Sequence, residues 1–435
     1  MYIIRMNKTF FKALGPGILF ASTAIGVSHL VQSTRAGADY GFTLVWAILL
    51  SNLFKFPFFQ YASRYANLTG TSIIDGYKKI GKWMLWLYFI ITVATMFFVT
   101  SAVGVVTSGF MDNLFGVSSV LKTYGISQPQ LVTPAVLFLV CTAILMLGKY
   151  KVLDSMIKVI AAVLLTSTLL AFVLALLKSD ELPQKAYQFF DWETLKTPTT
   201  FAFTIALMGW MPTAMDLSSW NSLWTVERIK QTKYHPSLKE TLFDFNFGYI
   251  GSAILALLFV SLGAFLMYGS PETLSNNPAI FGDQVVRMYT QNIGSWSYII
   301  IAASAFSIMF GTLIAVLDGY ARSLKRIIEL ITESEFERNR SYNRSILLLS
   351  AVSFGIMYFF VFAPTPKGGF KELVDFTTTF SFLVAPIIAI VNFRLMDKKY
   401  IGSESSLPVY MKVISYAGII FLTVFCILRI WQIFS

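Results

Sequence analysis

The sequence predicts an all-α polytopic membrane protein with about eleven transmembrane helices, on three observations. Of its 435 residues, 56% are hydrophobic and only 13% charged, which is too little polar surface for a soluble fold of this length. Apolar runs long enough to cross a bilayer recur along nearly the whole chain, separated mostly by short polar segments. Two of these runs, the first and the sixth, are interrupted. Interruptions five spans apart are expected when a five-helix unit is repeated with inverted topology and a solute is held between the two discontinuous helices.

The first run, Leu14 to Gly37, reads LGPGILFASTAIGVSHLVQSTRAG and is broken by Gly26, Ser28 and the membrane-depth His29. Backbone groups freed from a helix cannot face lipid, so such a break survives only where protein, water or a transported solute satisfies them. Arg5, Lys8 and Lys12 precede this full-length run, which is expected to stay as an uncleaved signal anchor. Further spans fall near 42–62, 83–107, 132–148 and 152–177. Lys55 in the second, beside Pro57, either snorkels or pairs with an acid.

The sixth span, near 200–222, lies in FAFTIALMGWMPTAMDLSSWNSLW (Phe201 to Trp224), where Pro212 removes a helical hydrogen bond. Spans near 245–268, 296–317, 345–363, 374–393 and 411–432 complete the set. The chain is thus read as one transmembrane domain, 1–435, with repeats at approximately 14–177 and 200–393 and an extra helix at 411–432. The Arg- and Glu-rich link from Asp318 to Asn343 is expected to hold a short cytoplasmic helix.

Basic residues concentrate on one side of this arrangement, among them Lys78, Lys79, Lys82, Lys149, Lys151, Lys230, Lys233, Arg322, Lys325, Arg326, Arg338, Arg340, Lys398 and Lys399. The positive-inside rule then places the N-terminus in the cytoplasm and the C-terminus outside a plasma membrane. This distribution accounts for the net charge of +11 without nucleic acid, for which no basic helix is present. Cys141 and Cys426 lie in apolar runs and are too few for a disulfide framework or a thiolate cage. No clustered His and carboxylate set, nucleophile elbow or phosphate loop marks an enzyme. The expected partners are the lipid bilayer, a small-ion substrate and a coupling cation, with no obligate protein partner, and no cofactor apart from a bound Na+.

Several motifs carry a family resemblance. Gly15-Pro16-Gly17 opens the first span, and Ala36-Gly37-Ala38-Asp39-Tyr40-Gly41 follows it. Leu50-Ser51-Asn52, Arg64, Thr69-Gly70 and Met211-Pro212 complete the set. Together they resemble the NRAMP (SLC11) transporters. The resemblance implies a LeuT-like inverted-repeat fold with alternating access, and ordinarily the proton-coupled import of manganese or iron.

The chain departs from that family at the residues that hold metal. Where the family has Asp-Pro-Gly-Asn in the first break, this sequence has Gly26, Val27, Ser28 and His29; for Met-Pro-His-Asn in the sixth it has Met211, Pro212, Thr213 and Ala214. These eight are the candidate substrate-binding residues. The third span, Trp83 to Thr107, lacks the family's carboxylates, and Val384 or a neighbour replaces a tenth-span glutamine. A divalent cation at membrane depth needs several strong ligands, so the missing carboxylate favours a small inorganic anion such as bicarbonate. The alternative is proton-coupled import of a divalent metal (Mn2+, Fe2+ or Mg2+).

His29 either contacts substrate or bonds a backbone carbonyl, and Met211 either selects a metal or packs. Inward transport of an anion needs a driving cation, Na+ or H+. Candidate coupling-ion residues are Asp216, an intramembrane carboxylate, and Ser304 and Ser307, which share a face of the eighth span with Thr312 nearby. The rival readings are a vestibular carboxylate for Asp216 and back-bonded packing serines for the pair.

Overall fold

The computed structural model describes residues 14–148, 165–177, 187–334, 338–363, 365–402 and 406–435, and every regular element among them is helical. Arg5, Lys8, Lys12, Lys149, Lys151 and the 152–164 part of the fifth span lie outside the described residues. The first span comes in three pieces: α1 (Pro16–Ala24), a π-helical stretch (Ser28–Ser33) and α2 (Thr34–Tyr40). Then follow α3 (Val45–Thr69), α4 (Ile73–Ile80), α5 (Lys82–Phe115), α6 (Val132–Met146) and α7 (Leu165–Leu176). The sixth span is split into α8 (Pro198–Gly209) and α9 (Ser218–Thr232). The longer helices that follow are α10 (Leu238–Met267), α11 (Pro278–Ile293), α12 (Tyr298–Thr332), α13 (Arg338–Met357), α14 (Phe370–Arg394) and α15 (Val409–Phe434).

Seven of the described helices are long and apolar enough to cross a membrane unaided. The first and sixth spans miss that standard because their breaks shorten the pieces, and α3 because Lys55, Gln60 and Arg64 dilute it. The segment from 269 to 295, which falls between the spans read near 245–268 and 296–317, contains α11. Pro278 at its first position and the Asn277 side chain, which accepts from the N–H groups of Ala279 and Ile280, start it. α4 begins at a Ser72/Asp75 capping box. The separate short helix expected between Asp318 and Asn343 is corrected: α12 continues unbroken to Thr332. Arg322 paired with Asp318 and Lys325 with Glu329, each one turn apart, support that extension.

The first span packs along α10 at backbone contact. A Cβ on Gly17 would lie 1.9 Å from the Asp244 carbonyl oxygen, and one on Gly248 would lie 2.0 Å from that of Gly17, so only glycine permits this approach. The Asp244 side chain accepts from the N–H groups of Gly15 and Gly17 at 3.1 and 2.6 Å, capping α1 from a neighbouring helix.

Ion pairs mark the two ends of the bundle. At one, Arg35 grips Asp375 with two hydrogen bonds of 2.7 and 2.9 Å, joining α2 to α14. At the other, Arg326 pairs with Asp75, and Lys78 and Lys82 with Glu333, joining α4 and the start of α5 to the end of α12. This second end carries the basic loops.

Candidate functional site

α1 ends at Ala24, and helical winding resumes at Val27, after Ile25 and Gly26. Thr312 of α12 bridges the gap, its hydroxyl lying 2.9 Å from the Ser22 carbonyl oxygen, 3.4 Å from that of Ile25 and 3.0 Å from that of Ile308. A Cβ on Gly26 would lie 2.8 Å from the Thr312 methyl carbon, so glycine at the break makes room for this bridge.

The sixth span has a different device. α8 stops at Gly209, where carbonyl groups lose their helical partners. The fully buried Lys55 ammonium donates to Met208 and Gly209 carbonyls at 2.6 and 2.8 Å. A cation at a helix C-terminus is favoured by the helix dipole, so Lys55 neither snorkels nor forms a close ion pair. Between α8 and α9 the chain passes through Trp210 to Ala214, with a cis Met211–Pro212 peptide, and one 3-10 turn, Met215–Leu217.

The two breaks face a common cavity. Val27 and Ser28 from the first, Trp210, Thr213 and Leu217 from the sixth, and Thr23 of α1 line it; Val99 and Val103 of α5 and Thr312 and Val316 of α12 close it. It offers about 20 Å³ to the centre of a water-sized sphere. That is room for a water or a small ion, since one water needs roughly 10–15 Å³.

The polar wall is hydroxylic, and most of its protons are already committed. Thr23 donates to the Leu19 carbonyl at 2.8 Å, Ser28 stands 2.5 Å from that of Ala24, and Thr312 lies against the carbonyls of the first span. Hydroxyls whose protons point into the backbone present lone pairs to the cavity. These hydroxyls make the polar wall largely one of oxygen acceptors.

Of the eight residues expected to bind substrate, Val27, Ser28 and Thr213 line the cavity. His29 does not: it is fully buried, with Nδ1 2.7 Å from the Ser28 hydroxyl and Nε2 2.8 Å from the Ser252 carbonyl oxygen. It ties the first span to α10. Met211 is also turned away, in a separate apolar cluster with Leu44, Ile48, Phe203 and Leu207. Gly26, Pro212 and Ala214 shape the breaks without lining the cavity.

Asp216 is buried one turn from the cavity; its Oδ2 accepts from Thr95 at 2.8 Å. Ser304 bonds back to the Ile300 carbonyl and Ser307 is half-buried, and neither lines the cavity. Both stand on α12 before Thr312, the residue that meets the break. Sequence reasoning missed Thr23, Trp210 and the α5 valines as lining residues. Thr23 lies one turn before the break, which is the only signal it gives. Among the described residues, no group of three or more His, Cys, Asp or Glu side chains is placed to hold a metal.

Comparison with known proteins gives a consistent neighbourhood. The family model described as "Natural resistance-associated macrophage protein-like" (Nramp) matches residues 17–432. The uncharacterized protein PM0681 of Pasteurella multocida (strain Pm70) is 34% identical over 97% of this chain and 92% of its own length. The divalent metal cation transporter MntH of Listeria monocytogenes serotype 4a (strain HCC23) is 24% identical over 97% of this chain and 90% of its own. Among solved structures, MhsT in complex with L-phenylalanine is similar with a TM-score of 0.66 at 12% identity, covering 98% of each chain. A mutant of the Eremococcus coleocola manganese transporter reaches 0.67 at 11% identity, covering 100% of this chain and 90% of that one. At such identities the likeness concerns the fold, which is LeuT-like with broken first and sixth spans.

Proposed function

This chain belongs to the Nramp family of multi-pass membrane transporters, and on that premise we propose that it moves a divalent metal cation through the cavity between its broken spans by alternating access. The observation that carries this reading is the orientation of the cavity hydroxyls. Thr23 and Thr312 give their protons to backbone carbonyls and Ser28 gives its proton to Ala24 or His29, so the wall offers oxygen lone pairs to a cation. The relatedness to MntH transporters over 97% of the chain supports the same cargo.

The ligand chemistry narrows the class. Hydroxyl and carbonyl oxygens suit hard cations such as Mg2+ or Mn2+, and a cation that keeps part of its water needs fewer protein ligands. The Met211 thioether, a soft ligand, is not at the cavity. Without a lining carboxylate, binding is expected to be weaker than in a site that has one.

A small inorganic anion such as bicarbonate is the second reading. Two observations favour it: the Lys55 ammonium stands at the sixth-span break, and no carboxylate among the described residues lines the cavity. The comparisons lend it no support. The bias of basic residues supports a plasma-membrane orientation with the N-terminus cytoplasmic and the C-terminus external.

Uptake by the purified full chain in proteoliposomes separates these readings. Manganese, magnesium and bicarbonate are offered in turn, with and without inward proton and sodium gradients. Saturable metal uptake that bicarbonate does not inhibit supports the proposal. Bicarbonate uptake with no metal uptake overturns it.

A further inference from the structure

Below the cavity, toward the end that carries the basic loops, lies a second polar centre. On α12 the cavity is reached by Thr312 and Val316, and Tyr320 follows one turn on. On α5, which runs the opposite way, Val99 and Val103 line the cavity and Thr95 lies one turn toward Lys82. Asp216 projects between these two helices at that level. A turn of helix rises about 5.4 Å, so its carboxylate is in series with the cavity and close to it.

The surroundings of Asp216 are oxygen and aromatic. Oδ2 accepts from Thr95 at 2.8 Å, with the Tyr320 hydroxyl at 3.5 Å. The Asp216 carbonyl oxygen accepts from Tyr88 at 3.2 Å, and Tyr88 and Ser219 are themselves 2.5 Å apart. Oδ1 is wholly enclosed and has no hydrogen-bond partner among the described residues. From the neighbouring elements the titratable groups acting on it are Tyr77 of α4, Tyr88 of α5, Tyr320 of α12 and Lys55 of α3. Lys55 is the one opposite charge among them, and its ammonium donates to the Met208 and Gly209 carbonyls at the end of α8.

A buried carboxylate with one bare oxygen is costly in a membrane. An enclosed atom leaves no space for a hydrated ion, whereas a proton adds no volume. The side facing the basic end is covered by rings: Trp220 on Tyr320 with centroids 4.9 Å apart, and Tyr77 on Tyr88 at 4.9 Å. We propose that Asp216 is a proton-binding site in series with the substrate cavity: Oδ1 forms an O–H bond with a proton delivered by cavity water, and returns it to water at the basic end when the aromatic layer parts. This inference rests on the transport reading only for its purpose, since the proton site is defined by Asp216 itself.

The test uses the purified full chain and infrared difference spectra between acidic and alkaline buffer, alongside manganese uptake in proteoliposomes. In the wild type, acidification is expected to produce a protonated-carboxyl band that Asp216→Asn removes. Thr95→Val, which keeps the carboxyl, is expected to retain the band at a displaced frequency, because a hydrogen bond to it is gone. Asp216→Asn is further expected to abolish the acceleration of manganese uptake by an inward proton gradient. If the bands appear and respond as described while no metal is taken up, the proton site stands and the metal cargo falls. A wild-type spectrum without the band, a band that survives Asp216→Asn, or one unmoved by Thr95→Val overturns the proposal.

Discussion

Ser28 and Thr312 each serve the break and face the cavity at once. Replacing either with an apolar isostere, Ser28→Ala or Thr312→Val, removes one acceptor. This is expected to weaken metal binding about tenfold, on the order of 1.4 kcal/mol, read as a higher half-saturation concentration in uptake. Gly26→Ala places a methyl group 2.8 Å from Thr312. Overpacking of this kind costs about 1–3 kcal/mol, seen as a lower unfolding temperature in detergent. His29→Ala is expected to lower that temperature as well, because it leaves the Ser252 carbonyl and the Ser28 hydroxyl without their imidazole partner. The position of the cavity was legible in the Gly26-Val27-Ser28-His29 interruption. Which of those side chains turns inward was not, because that depends on α10 offering the Ser252 carbonyl to His29, a contact between residues more than 200 apart.

Helices α8 and α9 show what a broken element needs. Their break leaves carbonyls at Met208 and Gly209, and Lys55 of α3 satisfies both. Lys55→Met keeps the bulk and loses the charge, leaving the Gly209 carbonyl bare and that of Met208 with only the 3.4 Å bond from the Met211 N–H, at about 1–3 kcal/mol for an unsatisfied buried group. Thermal unfolding is expected to show a marked destabilisation, which Lys55→Arg partly restores. An unchanged unfolding temperature in Lys55→Met would contradict this capping role. The sequence showed that both spans are broken, because Pro212 and the Gly26 region interrupt otherwise continuous apolar runs. It could not show the cap, since Lys55 and Gly209 are brought together only by the packing of α3 on α8. α11 escaped notice because its polar residues hide it from a search for long apolar runs, and α12 was cut short because its extension is held by ion pairs rather than by hydrophobic content.

The whole molecule places three layers along one axis: the Arg35–Asp375 pair, the cavity between the breaks, and the Asp216 centre above the basic end. The family and the fold were readable from motifs in the first two spans and from the paired breaks. The cargo was not: the missing carboxylate favoured an anion in the sequence, whereas the cation proposed above rests on Thr23 and Thr312 donating to backbone carbonyls, contacts that exist only in three dimensions. The central claim is that this cavity binds the transported cation. The most direct measurement is manganese uptake into proteoliposomes by the wild type and by the Ser28→Ala/Thr312→Val double variant, with matched amounts of folded protein. The account predicts saturable wild-type uptake and a loss of at least about tenfold in apparent affinity in the double variant, whose two changes at one cavity are coupled rather than independent. Equal uptake by the two proteins, or bicarbonate uptake in place of manganese uptake, would contradict it.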